Sequence, residues 1–172
     1  MITGLKDQLE GWDGIHMDYL TSIYNSFHEQ SDFFDHLISL TSEQPQLQEG
    51  TTWLIKHHYD EKKELSKDQL DELLNSVAGL KHWAANLHVL QILPHIEIKS
   101  ENYIIIDDFV RRSWNSDNKF VRAWSYQGLL ELYKFQPSNK PELMALCEKA
   151  MINESASIKV KVRNLIKHLE TH

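Results

Sequence analysis

Apolar residues return every third or fourth position along almost the whole of this chain. Ile15, Tyr19, Ile23 and Phe27 recur at every fourth place, and Leu70, Leu73, Leu74 and Val77 follow the three-four alternation of an amphipathic helix. Strict period-two alternation is nearly absent. Its one exception is Ile96–Lys99 with Tyr103–Ile106, whose β-branched residues suit a short strand. The second stretch reads as helix, because Asp107, Phe109 and Val110 continue it to Arg112 without a breaker. Punctuation is regular. Ser66 with Gln69, and Asn139 with Glu142, have capping-box spacing. Pro141 sits where a missing N–H costs least, Pro94 can end a helix, and Ser116 or Asp117 can cap the next. The pattern predicts nine helices, near Asp13–His28, Asp32–Ser42, Gln46–Glu64, Lys67–Val77, His82–His95, Asn102–Trp114, Asn118–Lys134, Pro141–Met151 and Ser155–Thr171.

Three of these helices can be laid over one another. Trp83–Leu90, Val121–Gly128 and Ile158–Leu165 start 38 and then 37 residues apart, and a shorter amphipathic helix precedes each. A degenerate copy begins at Trp53, 30 residues upstream of Trp83. Near-equal offsets are what stacked helical hairpins leave in a sequence. Each hairpin has an apolar face too large to bury alone, so neighbours share one core. The expected fold is therefore all-α: an α-α superhelix (solenoid) of about four hairpins in a single domain, 1–172. Residues 1–30 form an N-terminal capping helix, and 31–171 form the hairpins.

The turn Ser116-Asp117-Asn118-Lys119 followed by Val121-Arg122-Ala123-Trp124 resembles the start of the second helix in HEAT-type (armadillo-like) repeats, with its Asp-x-x-Val-Arg-x-Ala-Ala pattern. Glu154-Ser155-Ala156-Ser157-Ile158-Lys159-Val160 looks like a weaker version with Lys for Arg. The wider strings Leu87–Pro94 and Asn118–Tyr126 look like a branch of uncharacterised bacterial HEAT-like proteins. The upstream copy lacks the Val-Arg pair, and Trp124 stands where Ala is usual. The resemblance implies an architecture and says almost nothing of activity, because the motif is a packing motif.

Composition narrows the class. A chain of 172 residues with 41% hydrophobic and 10% aromatic content can bury a sizeable core and is not disordered. Its single cysteine, Cys147, excludes a disulfide framework and a four-thiolate metal site, as suits a reducing compartment. The amino terminus lacks the apolar stretch of a secretory signal, and the longest apolar run, Tyr103–Ile106, is far below the roughly 18 residues of a membrane span. A cytoplasmic, membrane-free location is expected. Charge is uneven: residues 1–80 carry 5 basic and 15 acidic side chains, while 81–172 carry 13 and 10.

The motifs of catalysis are missing. His28, Asp32 and His36 would line one face of a continuous helix, but Ser31 reads as a break. His57 and His58 are adjacent and diverge, and His57 with Glu61 supplies only two ligands. No His-Glu-x-x-His and no Glu-x-x-His occurs. Cys147 sits among Leu143, Met144, Leu146 and Ala150 and reads as a buried hydrophobe. The pairs Asp60-Glu61 and Asp107-Asp108 diverge around their helices, and the six glycines make no phosphate loop. Gly128, inside a helix, reads as a point of close helix approach. The expectation is no catalytic residue, no metal and no cofactor.

Two functional classes stand. Some HEAT-like solenoids are DNA glycosylases, and a nucleic-acid reading would place Trp124, Arg122 and Asp117 near a pocket, among cations such as Arg111, Arg112, Lys159, Lys161 and Arg163. Against it stands the net charge of −7. Trp53 and Trp83 share a repeat column with Val121 and read as core. The other class is a non-enzymatic binding module. With Val121, Ser125, Gly128 and Leu132 inward, aligned positions form the ladders Ala84–Arg122–Lys159, His88–Tyr126–Arg163 and Asn86–Trp124–Lys161. Tyr, Trp and Arg dominate contact hot spots, so a protein or peptide partner, acidic in character, is expected at Asn86, His88, Arg122, Trp124, Tyr126, Lys159, Lys161 and Arg163.

Overall fold

The computed structural model describes residues 2–171. These residues form ten α-helices and four short 3-10 turns, with no strand among them. The chain divides into two compact units, Met1–Val89 and Leu90–His172, with the division inside one helix.

The first unit holds α1 (Leu5–Glu10), α2 (Met17–Phe27), α3 (Phe33–Glu43), α4 (Gln48–Asp60), α5 (Lys67–Ser76) and most of α6 (Trp83–Ile92). The N-terminal segment thus contains two helices where one was expected. Gly14 takes φ +77°, and the Asp13 carboxylate accepts the N–H groups of Ile15 (2.9 Å) and His16 (3.0 Å), so this turn delays α2 until Met17. α4 ends at Asp60, earlier than expected, because Lys62 turns into the left-handed region (φ 60°). α3 packs on α4 and on α5, and α2 packs on α4. Leu20, Ile23, Phe33, Leu37, Ile38, Leu54, Ile55 and Leu73 are buried in this core. The Ser66–Gln69 capping box forms in both directions, at 3.3 and 3.1 Å. Gln48, 1% exposed, uses all of its amide: it donates to the carbonyls of Thr41 and Gly79 and accepts from Lys81 and His82 N–H. That spends a buried polar side chain on satisfying the turn into α6.

The second unit holds the end of α6, α7 (Ser100–Trp114), α8 (Lys119–Phe135), α9 (Lys140–Asn153) and α10 (Ala156–Thr171). The Tyr103–Ile106 stretch is helix, as its downstream pattern predicts. α7 and α8 pair, as do α9 and α10, and α8 also packs along α10. The expected inward stripe of α8 is buried at all four positions, Val121, Ser125, Gly128 and Leu132. Gly128 marks the close approach: a Cβ built there would lie 2.7 Å from Val110 Cγ2. Two caps differ from expectation. Asn118, not Ser116 or Asp117, caps α8, its Oδ1 accepting from Phe120 and Val121 N–H. Asn139 and Glu142 make no capping box. The Asn139 amide donates to the Tyr103 hydroxyl (2.9 Å), and Glu142 pairs with Arg111 (2.6 Å), a charge-assisted bond stronger than a cap.

Candidate functional site

The face predicted to meet a partner lies mostly on α8 and α10 of the second unit, and its residues divide into those that hold the fold and those that face outward. Arg122 belongs to the first group. Its Nη1 donates to the carbonyls of Ser116 (2.8 Å) and Asp117 (3.0 Å), and its Nε to the Glu154 carboxylate (3.1 Å). Arg122 thus ties the turn before α8 to the turn before α10. The planar guanidinium has its directed donors occupied, and what remains for a ligand is its charge, much of it matched by Glu154.

Tyr126 is 1% exposed. Its hydroxyl accepts from the Trp114 indole N–H at 2.8 Å, and burial pushes its pKa up. It can shape a partner face only through Trp114. Trp124 is different. It is half-buried, and the Lys161 ammonium lies 4.1 Å from its ring centroid, the contact expected if positions 124 and 161 share one ladder rung. Lys159 is half-buried, with Nζ 3.4 Å from the Ile152 carbonyl, and Arg163 is exposed. α10 carries Lys159, Lys161, Arg163 and Lys167 against the single carboxylate of Glu170. Lys159, Arg163 and Lys167 stand at i, i+4 and i+8, a cationic row with a step of about 6 Å. The outcome is a cationic helix with one aromatic plate beside it.

A cavity of about 270 Å³ opens nearby, lined by Trp114, Asn115, Arg122, Tyr126, Lys149, Ala150, Asn153 and Glu154. Of the three residues placed near a pocket by the nucleic-acid reading, Arg122 lines it and Trp124 and Asp117 do not. The cavity combines an indole face, two side-chain amides, an ion pair and the exposed Lys149. Lys149 was not among the residues singled out from sequence, and Glu154 figured there only in the weaker motif copy. Glu154 had a signal, since it lies 37 residues after Asp117, the spacing that relates Ile158 to Val121. Lys149 had none.

The two candidate residues of the first unit are engaged there. The Asn86 amide donates to the His82 carbonyl (2.9 Å). His88 is 9% exposed, with Nδ1 3.0 Å from Thr52 Oγ1. The Thr52 hydroxyl gives its hydrogen to the Gln48 carbonyl (2.6 Å), which leaves a lone pair for an Nδ1–H of His88. Burial, with Lys56 and His82 adding to it, lowers the His88 pKa to about 4, so the ring is neutral at pH 7. Trp53 lies half-buried, flat against His57, and Trp83 is 44% exposed, so the reading of Trp83 as core is corrected. Val121, expected in the same column, is buried.

Cys147 is fully buried and burial raises its thiol to about 11, far from a reactive thiolate. Among the described residues no group of three His, Cys, Asp or Glu side chains is placed to hold a metal ion. No helix of the described residues is long and apolar enough to cross a membrane. No protein-family model matches the chain, and no curated protein or solved structure matches it.

Proposed function

We propose that the chain is a non-enzymatic, HEAT-like helical-hairpin module that binds an acidic segment of a protein or peptide along α10, with Trp124 at its edge. The observation that carries this is the Trp124–Lys161 stack; the row of Lys159, Arg163 and Lys167 runs along the opposite side of the same helix and adds its positive field rather than a shared contact face. The stack holds an ammonium and an indole in one fixed arrangement, so less side-chain entropy is lost when a carboxylate reaches Lys161. The aromatic plate then takes the apolar residues between acidic ones. α3 pairs with α4, α7 with α8 and α9 with α10, while α2 packs on α4, α3 on α5 and α8 on α10, which supports a hairpin-repeat reading for those helices.

The test is fluorescence anisotropy with a labelled peptide of alternating Glu-Glu-Leu triplets, set against a labelled single-stranded oligonucleotide. Saturable peptide binding that weakens about tenfold in a Lys161→Ala/Arg163→Ala variant supports the proposal. Oligonucleotide binding that falls steeply with salt, with no peptide binding, replaces it by the nucleic-acid reading.

A further inference from the structure

In the first unit, one tyrosine is surrounded by imidazoles. Tyr24, on α2 and 2% exposed, lies 2.8 Å from His58 Nδ1 through its hydroxyl. The ring of His28, at the C-terminal end of α2, lies flat on the phenol ring at 4.6 Å, and His57 of α4 meets it edge-on at 4.7 Å. Lys63 Nζ stands 5.8 Å from the same ring. From α3 the wall is apolar: Phe34 lies 4.2 Å from the His58 ring, and Phe33 meets Tyr24 edge-on. The acidic group acting on Tyr24 is Glu61, and Glu64 turns its backbone carbonyl to His58 Nε2 at 3.4 Å. Both Tyr24 and His58 are buried, at 2% and 8% exposed.

The tautomer follows from the partners. A carbonyl can only accept, so Nε2 of His58 carries the hydrogen toward Glu64, and Nδ1 is the acceptor for the Tyr24 O–H. A proton added to His58 can go only to Nδ1. The Tyr24–His58 bond then survives only if the buried phenol turns its own hydrogen elsewhere. A charged His58 also stands close to Lys63, and the two cations repel one another.

We propose that this cage is an acid-sensitive latch: protonation of His58 at Nδ1 breaks the bond between α2 and α4 and opens the first unit at acidic pH. The direction agrees with the environment of His58, whose pKa burial lowers, with Lys63, His28 and His57 adding to it. A histidine that resists protonation in the folded unit and accepts it in the opened one favours opening as pH falls below its ordinary value.

The test is amide hydrogen exchange of the full chain at pH 7.5 and about pH 5.5, corrected for the intrinsic rate, beside a His28→Gln/His57→Gln/His58→Asn variant. In the variant, the amide oxygen introduced at position 58 takes the place of Nδ1 and does not titrate. The wild type should lose roughly tenfold in protection over Met17–Phe27 and Gln48–Asp60, and the variant less than about twofold. His88 is present in both proteins, so the difference isolates the cage. An equal loss in the variant overturns the proposal. Should the variant fail to fold, the ring carbon shifts of His58 in the wild type decide: loss of protection at a pH where His58 is still neutral overturns it as well.

Discussion

Gly128→Ala sets two well-measured effects against each other. Alanine in a helix interior is favoured over glycine by about 1 kcal/mol. Here the new methyl would stand 2.7 Å from Val110 Cγ2, 3.2 Å from Val110 Cγ1 and 3.3 Å from Leu93 Cδ1. Ordinary contact begins near 3.4 Å, so one neighbour must yield by about 0.7 Å. Val110 is fully buried, and a β-branched side chain in a helix has one strongly preferred rotamer, so it cannot step aside. The α7–α8 pair must part instead, and overpacking of this kind costs roughly 1–3 kcal/mol. The expected net is a destabilisation of about 1 kcal/mol. Val110→Ala alone costs about 2 kcal/mol through lost burial and a cavity. In that background both clashing methyls are gone, and Gly128→Ala should stabilise by up to about 1 kcal/mol. Urea denaturation of the four proteins, followed by circular dichroism and by tryptophan fluorescence, gives the cycle. A coupling of roughly 2 kcal/mol is expected, and additivity within about 0.5 kcal/mol would refute the steric argument.

Other expectations follow from single contacts. His88 has its pKa lowered to about 4, so the unfolded chain takes up the proton first, and stability is lost as pH falls from the ordinary histidine value toward 4. The loss is about 3 kcal/mol at its limit, and His88→Asn should flatten that part of a stability–pH curve. Arg122→Ala should cost roughly 2 kcal/mol in urea denaturation, because Glu154 and two carbonyls lose their donor; Arg122→Lys should recover less than half, as an ammonium cannot serve both sides of the fork. Cys147 should react with a disulfide reagent at pH 8 only at the rate at which the protein opens, since its thiol is buried and raised to about 11.

Where the sequence read well, one helix face met one neighbour. The α8 stripe through Val121, Ser125, Gly128 and Leu132 repeats at the helical period and is the α7-side seam on which Gly128 meets Val110. Trp124 and Lys161, 37 residues apart, meet where α8 packs along α10. Tyr126 was harder. α8 packs against both α7 and α10, so it has two buried faces, and a single stripe cannot reveal the second. His88 escaped for a different reason: its neutrality comes from burial, and its tautomer from Thr52, 36 residues away, whose hydroxyl is already committed to Gln48. The six-residue α1 is shorter than two turns and leaves no periodicity to find. The Tyr24 cage gathers imidazoles that lie four, thirty-three and thirty-four residues from the phenol. Spacing of that kind has meaning only once α2 lies on α4.

The binding face of α10 is the central claim, and charge reversal tests it most directly. Lys161→Glu/Arg163→Glu changes half-buried and exposed positions, so the fold should persist, as circular dichroism would verify. The account predicts that anisotropy titration with the acidic Glu-Glu-Leu peptide shows affinity falling by about a hundredfold or more, while a basic Lys-Lys-Leu peptide gains affinity for the reversed face. Unchanged affinity of the acidic peptide for the reversed protein would contradict it.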